Sequence, residues 1–273
     1  MKTKPFGNRW LASPYLLWSV IFIVIPMLMV AYYAFTDATG SFTLDNILVL
    51  SEYKEVFFIS IWYAFLATLI SLLLAYPLAY IMARMKAASQ GIVIILVMLP
   101  MWMNFLIRTY SWITILANKG ILNQLFSKLG IGPFQMINTP GAVILGMVYN
   151  FLPYMILPIY TALSKIDGSL LEAADDLGCN PLKTLRRVIF PLSMPGVISG
   201  ITMVFVPSVS TFYISQKLGG GKTLLIGDVI EMQFQHSYNY NLGASLSLIL
   251  MLMILLCMAV MNHFADDDGG VII

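Results

Sequence analysis

Six stretches of this chain run without a charged side chain for long enough to cross a lipid bilayer: 10–36, 56–83, 87–107, 129–164, 188–216 and 232–265. The third continues past a lone Arg108 to Asn118. A spanning helix needs roughly 20 apolar residues. Trimming each run at its Pro, Gly and polar ends predicts helices near 14–35, 58–83, 92–116, 140–163, 193–214 and 242–264. The composition agrees. With 59% hydrophobic and 10% charged residues and a mean hydropathy of +0.85, too little polar surface remains to wrap a water-soluble core. A soluble domain carries about 25% charged residues. Disorder, a collagen-like repeat and a disulfide scaffold are excluded on the same numbers. A formal charge of +2 leaves no basic footprint for nucleic acid. The expectation is an all-α integral membrane protein of six transmembrane helices, with lipid as its main solvent.

Lys and Arg in short loops mark the cytoplasmic side. With the N-terminus inside, Lys2, Lys4, Arg9, Arg84, Lys86, Lys165, Lys183, Arg186 and Arg187 lie in, and Lys54, Lys119, Lys128, Lys217 and Lys222 lie out. Both termini are therefore expected in the cytoplasm: a segment 1–13, a membrane domain 14–264 and a tail 265–273. The first run follows basic residues as a signal peptide would. It is long, holds Pro14 and Pro26, and ends at Phe35-Thr36-Asp37 with no small-residue cleavage site, so a retained anchor is expected. Cys179 and Cys257 fall on or near the inner side and are expected as free thiols. Gly219-Gly220-Gly221-Lys222-Thr223 lacks the leading glycine of a phosphate-binding loop. No cofactor or metal is expected in this chain.

The inner segment 164–191 gathers Lys165, Asp167, Glu172, Asp175, Asp176, Lys183, Arg186 and Arg187. Ser169 to Glu172 spells a capping box and predicts a helix from Leu170. Gly178 predicts its stop, and Asn180-Pro181 predicts a second start, Asn as N-cap and Pro as first helical residue. Leu182, Leu185 and Ile189 recur at helical spacing opposite Lys183 and Arg187. A rigid amphipathic helix–Gly–helix hairpin outside the lipid is expected.

Glu172-Ala173-Ala174, three residues, Gly178, nine residues and Val188-Ile189-Phe190-Pro191 resembles the EAA loop of ABC importer permeases, with apolar departures at Val188 and Phe190. Further segments, in order along nearly the whole chain, resemble the spermidine/putrescine permease family, most closely the first of its two permease subunits. They include Pro100-Met101-Trp102, the run from Leu106 to Trp112, Leu152-Pro153-Tyr154-Met155 and Pro191-Leu192-Ser193-Met194-Pro195-Gly196. Permeases for iron, sulfate and phosphonate share parts of them. The resemblance implies a type I ABC importer permease (MetI-like) fold, paired with a second permease subunit. It implies two copies of an ATP-binding subunit that hold ATP and Mg, and an external substrate-binding protein that delivers the polyamine. Glu172, Ala173, Ala174, Gly178 and Pro191 would couple to that ATPase. Gly178 permits a sharp turn, and the small Ala173 and Ala174 permit close approach. Glu172 would cap its own helix and also contact the ATPase; capping alone is the alternative.

A polyamine is a polycation and favours carboxylates and aromatic faces, the latter by about 0.5–2 kcal/mol per contact. Trp102, Tyr110, Trp112, Tyr149, Tyr154 and Tyr213 are candidates to line the pathway; an interfacial belt or helix packing is the alternative. No Asp or Glu lies inside a predicted span. The acids must then come from a partner or the outer loops. Asp228 and Glu231 share one face if 223–234 is a helix; solvated loop acids are the alternative. Asp37, Asp45, Glu52 and Glu55 against Lys54 make the first outer loop net acidic. Arg108 would repel a polyamine. It either snorkels to the outer interface or pairs with an anion at an outer gate or on a docked binding protein. An independent secondary transporter would place paired acids or His relays inside its spans, and an intramembrane enzyme a His-containing cluster. His236 and His263 lie near span ends and supply neither.

Overall fold

The structure, a computed structural model, describes residues 13–269. The inner-side cations Lys2, Lys4 and Arg9, residues 270–273 of the tail and the side chains from Asn262 onward lie outside the described residues. The helices are α1 (Ser13–Ala34), α2 (Asp45–Ala83), α3 (Ala87–Trp102), α4 (Phe105–Leu116), α5 (Ile121–Lys128), α6 (Pro140–Ser164), α7 (Gly168–Asp176), α8 (Pro181–Val209), α9 (Tyr213–Gly219), α10 (Ile226–Gln235) and α11 (Tyr240–Gly269). Among the described residues every regular element is helical; Thr36 and Phe42 form an isolated antiparallel bridge. Five helices, namely α1, α2, α6, α8 and the 240–261 part of α11, are long and apolar enough to cross a bilayer, and α3 with the stretch that opens with α4 makes a sixth if the bent pair is one broken span.

The expected third span, 92–116, is not one helix. α3 and the stretch that opens with α4 meet at 90°. Pro100 lacks a ladder N–H, and Met103 takes an extended backbone with φ −75° and ψ 144°. Asn104 then caps a new helix, its Oδ1 accepting from Leu106 N at 2.8 Å. The expected fifth span, 193–214, also ends early. α8 stops at Val209, and Tyr213 opens the separate short helix α9.

The chain parts into two compact units, Met1–Lys54 with Val229–Leu252 and Glu55–Asp228 with Met253–Ile273. In the first, side chains satisfy the carbonyls where α1 ends. Asn241 Nδ2 donates to Thr36 O at 2.7 Å, Asn46 Nδ2 to the same oxygen at 2.8 Å, and Ser245 Oγ to Ala34 O at 3.0 Å. Backbone groups at membrane depth need such partners because lipid supplies none. Upstream, Leu17 and Phe22 stand exposed, an apolar surface whose solvent is lipid or another protein.

In the second unit α6 and α8 pack along their lengths. Small residues make this possible. A Cβ on Gly196 would lie 2.5 Å from Ala162 Cβ and 2.6 Å from Pro158 O. One turn on, a Cβ on Gly200 would lie 2.8 Å from Met155 Sδ. Gly196→Ala must therefore push two spans apart. Overpacking of this kind costs about 1–3 kcal/mol, and a clear drop in the thermal midpoint of the detergent-solubilised protein is the expected result. At one end of the unit Ala75, Ala79, Met82, Ile159, Leu163, Ile189 and Val197 form one buried cluster. At the other, Ala67, Leu116, Val143, Met147, Ile214 and Leu218 form a second.

Candidate functional site

The segment 164–191 forms two helical arms, as its punctuation predicts, with one correction at each arm. The first arm, α7, starts earlier than expected. Its N-cap is Asp167, whose Oδ1 accepts from Ser169 N at 3.0 Å, so Ser169 is not the cap. That hydrogen bond, with help from the Ser169 hydroxyl, holds the Asp167 carboxyl below the usual carboxylate range. Asp167 rather than Ser169 opens the helix, so Glu172 is not the reciprocal partner of a capping box. It stands exposed on α7 beside the exposed Ala173, while Ala174 is buried.

Gly178 ends α7 as expected, with φ +74°. Gly178 N donates to Asp175 O at 2.9 Å and Cys179 N to Ala174 O at 3.0 Å. These two bonds make a Schellman turn, which requires the left-handed conformation that glycine adopts without strain. Asn180 then caps the second arm, Oδ1 accepting from Lys183 N at 2.8 Å, with Pro181 as the first helical residue. The second arm is not a free helix of a hairpin. It is the first part of α8, which runs on without a break through a π-helical turn, Leu185–Ile189. The wider turn sits directly before Phe190-Pro191, and Pro191 has no N–H to offer a normal ladder. Pro191 is exposed.

The loop is anchored from beneath. Ile166, Leu171 and Leu185 pack against the cluster that holds Met82, Ile159, Leu163 and Ile189, the ends of α2, α6 and α8. Its other face is apolar and uncovered: Leu177 is 84% exposed and Leu182 73%. They flank the Gly178 turn, among the exposed carboxylates of Glu172, Asp175 and Asp176. Cys179 and Cys257 are free.

The aromatic candidates separate into two groups. Trp112 and Tyr149 pack edge-to-face with centroids 5.3 Å apart, and Trp112 lies against the Leu116–Val143 cluster. Helix packing accounts for both. Trp102, Tyr110 and Tyr154 are exposed, and Tyr213 is half-buried. The break at Met103 brings the start of α4 beside the start of α9, where Phe105 and Tyr213 lie 5.7 Å apart. Lys217, one turn further along α9, sets its Nζ 5.7 Å from the Tyr213 ring centre and 5.9 Å from that of Tyr110. Lys217 had no place among the candidates. The spacing Tyr213-x3-Lys217 is the only local signal for it, and the contact with Tyr110 depends on the bend.

Two charged candidates are placed against expectation. Arg108 is buried within this chain. It is 8% exposed, its guanidinium 5.9 Å from the Phe105 ring centre, and its buried Nε and Nη1 have no hydrogen-bond partner among the described residues. Asp228 is not a solvated loop acid. It is 2% exposed; its Oδ1 accepts from Ser215 Oγ at 2.9 Å and its Oδ2 from Leu225 N at 2.7 Å. Glu231 is half-buried one turn along α10. In the loop between α1 and α2 Asp37 is committed to a turn. Its Oδ1 accepts from Thr39 Oγ1 at 2.6 Å and from Thr39 N and Ser41 N at 2.8 and 2.9 Å, which lowers its carboxyl pKa.

A family model described as the binding-protein-dependent transport system inner membrane component matches residues 67–266. The spermidine/putrescine transport system permease protein PotB of Haemophilus influenzae is 41% identical over 227 residues, which cover 80% of this chain and 79% of that one. PotB of Escherichia coli is also 41% identical, covering 80% of this chain and 82% of its own. The inner membrane ABC transporter permease protein YdcU of Escherichia coli is 30% identical over 82% of this chain and 78% of its own. Among solved structures, a bacterial ABC transporter involved in import of the acidic polysaccharide alginate superimposes with a TM-score of 0.75 at 18% identity, over 95% of this chain and 96% of that chain. At that identity the likeness is one of fold.

Proposed function

This chain belongs to the family of binding-protein-dependent transport inner membrane components, and from that premise we propose that it forms half of the translocation pathway of an ATP-driven polyamine importer. It is a transport subunit without a catalytic step of its own, and it lies in the membrane as a multi-pass protein. Spermidine or putrescine is the cargo favoured by the likeness to PotB. A second permease completes the pathway, a binding protein delivers the cargo, and two copies of an ATPase, with their ATP and Mg, dock on the 164–191 loop. Both termini lie on the ATPase side.

The observation that carries this reading is the continuity of the loop with a span. α7 presents Glu172, Ala173 and Leu177 outward, Gly178 turns the chain, and the second arm continues as α8. A displacement of α7 by a partner is passed to α8 as rigid-body motion, since packed helices move between discrete arrangements. Uptake of labelled spermidine and putrescine in a strain that lacks the importer, with and without this chain, is the test. Uptake of either that depends on this chain, and on a co-expressed ATPase, supports the reading. Robust transport by this chain alone in liposomes overturns it.

Arg108 belongs to this assembly. A buried cation costs several kcal/mol unless an anion faces it. We assign that anion to the second permease or the docked binding protein. Arg108→Ala and Arg108→Lys, at matched membrane levels, are each expected to lose about tenfold or more in uptake, the scale of one broken buried pair. Normal uptake by both variants removes the gate role.

A further inference from the structure

Lys217 occupies a place that a cargo ammonium would fit. Its Nζ lies 5.7 Å from the centre of one tyrosine ring and 5.9 Å from another, inside the range of about 6 Å at which a ring quadrupole attracts a cation. The two rings come from different helices, Tyr110 from α4 and Tyr213 from α9. Phe105 supports Tyr213 from the side at 5.7 Å. Tyr110 is 51% exposed and Tyr213 and Lys217 are half-buried, so the rest of this chain does not seal the pair of faces. An ammonium on a flexible stem of four methylenes has the chemistry of one end of an aliphatic diamine.

We propose that Tyr110 and Tyr213 form an aromatic subsite for one alkylammonium group of the cargo, and that the Lys217 ammonium holds this subsite until cargo displaces it. This rests on the polyamine reading above. The lysine acts as a tethered competitor. It occupies the ring faces in the empty pathway, and its like charge repels a cation that has not been delivered at high local concentration. Once cargo enters, the lysine swings to water, which costs little because its stem is long and its head is strongly hydrated.

The test uses the complete importer, with its ATPase, second permease and binding protein, in liposomes. Initial uptake of spermidine is followed as cargo-loaded binding protein is raised. Lys217→Met keeps the stem and removes the charge, and it should lower the half-saturating concentration about threefold or more, the scale of one exposed cation–π contact. Lys217→Gln is a second neutral variant with the same expectation. Lys217→Arg keeps the charge and stacks at least as well on the rings, so it should not lower half-saturation. Tyr110→Leu should raise half-saturation, Tyr110→Phe should not, and in the Tyr110→Leu background Lys217→Met should have a smaller effect, since only the Tyr213 face is left to vacate. An unchanged or raised half-saturation in both neutral variants, with uptake retained, overturns the competitor and leaves the polyamine reading intact. Failure of the wild-type importer to take up any polyamine overturns both.

Discussion

Gly178→Val is expected to leave the permease in the membrane and to abolish most of its transport. The residue sits at φ +74°, and two backbone hydrogen bonds of the Schellman turn depend on that conformation. A β-branched residue held there costs about 1–3 kcal/mol. At 1.4 kcal/mol per factor of ten, the turn as seen would be populated about 10–100-fold less. Nothing crowds the position, since no atom lies within 4 Å of a Cβ built on Gly178. The loss is therefore conformational rather than steric, and the spans themselves should fold normally. Gly178→Asn is the control, because Asn enters the left-handed region at small cost. Uptake should fall about tenfold or more in the valine variant and recover in large part in the asparagine variant. The detergent-solubilised valine variant should co-purify less ATPase, and so should Glu172→Ala, whose exposed carboxylate has no capping duty to lose. Wild-type uptake by Gly178→Val would show that the turn does not carry the coupling.

What could be read from residues alone, and what could not, divides along the range of the interactions concerned. The EAA segment was legible because its determinants are local. Gly178 as stop and Asn180-Pro181 as start each act within four residues. The N-cap slipped by two residues because Asp167 and Ser169 are both good caps, and the choice falls to how Ile166 and Leu171 seat on the cluster beneath. The third span reads from sequence as one unbroken helix because a charge-free run reports only that a segment tolerates lipid. It does not report whether the helix turns within it, and the turn here needs Pro100 and Asn104 together. The burial of Arg108 and Asp228 was not legible. The Phe105–Arg108 and Leu225–Asp228 contacts are local, three residues apart, but the burial of each charge depends on tertiary packing, such as that of Ser215 on Asp228, which no spacing in the sequence encodes.

Asp228 offers the sharpest separation between a ligand for a cationic cargo and a residue that builds the start of α10. Its Oδ2 accepts from Leu225 N at 2.7 Å, so the acid at the third position of α10 reaches back to cap its own helix. Ser60 of α2 takes the next N–H, that of Ile226, at 2.7 Å. Ser215 Oγ lies within hydrogen-bond reach of both Asp228 Oδ1, at 2.9 Å, and Phe212 O, at 2.7 Å. Its single proton serves one of them at a time. Asp228→Asn can keep this arrangement. The amide oxygen takes the Leu225 N–H, the amide nitrogen donates to Ser215 Oγ, and the serine proton goes to Phe212 O. Asp228→Ala cannot, and it leaves a buried N–H without its acceptor. The alanine variant should lose about 3 kcal/mol, since hydrogen bonds to a charged group contribute about 1.5–3 kcal/mol each and unsatisfied buried groups cost as much. It is expected to show a lower thermal midpoint and little uptake. The asparagine variant should keep a midpoint close to wild type and most of its uptake. A carboxylate that binds an ammonium gives the opposite pattern, because Asp228→Asn would then fold normally and transport poorly through loss of the charge itself. Thermal stability and uptake measured on the same two variants decide between a structural acid and a cargo ligand.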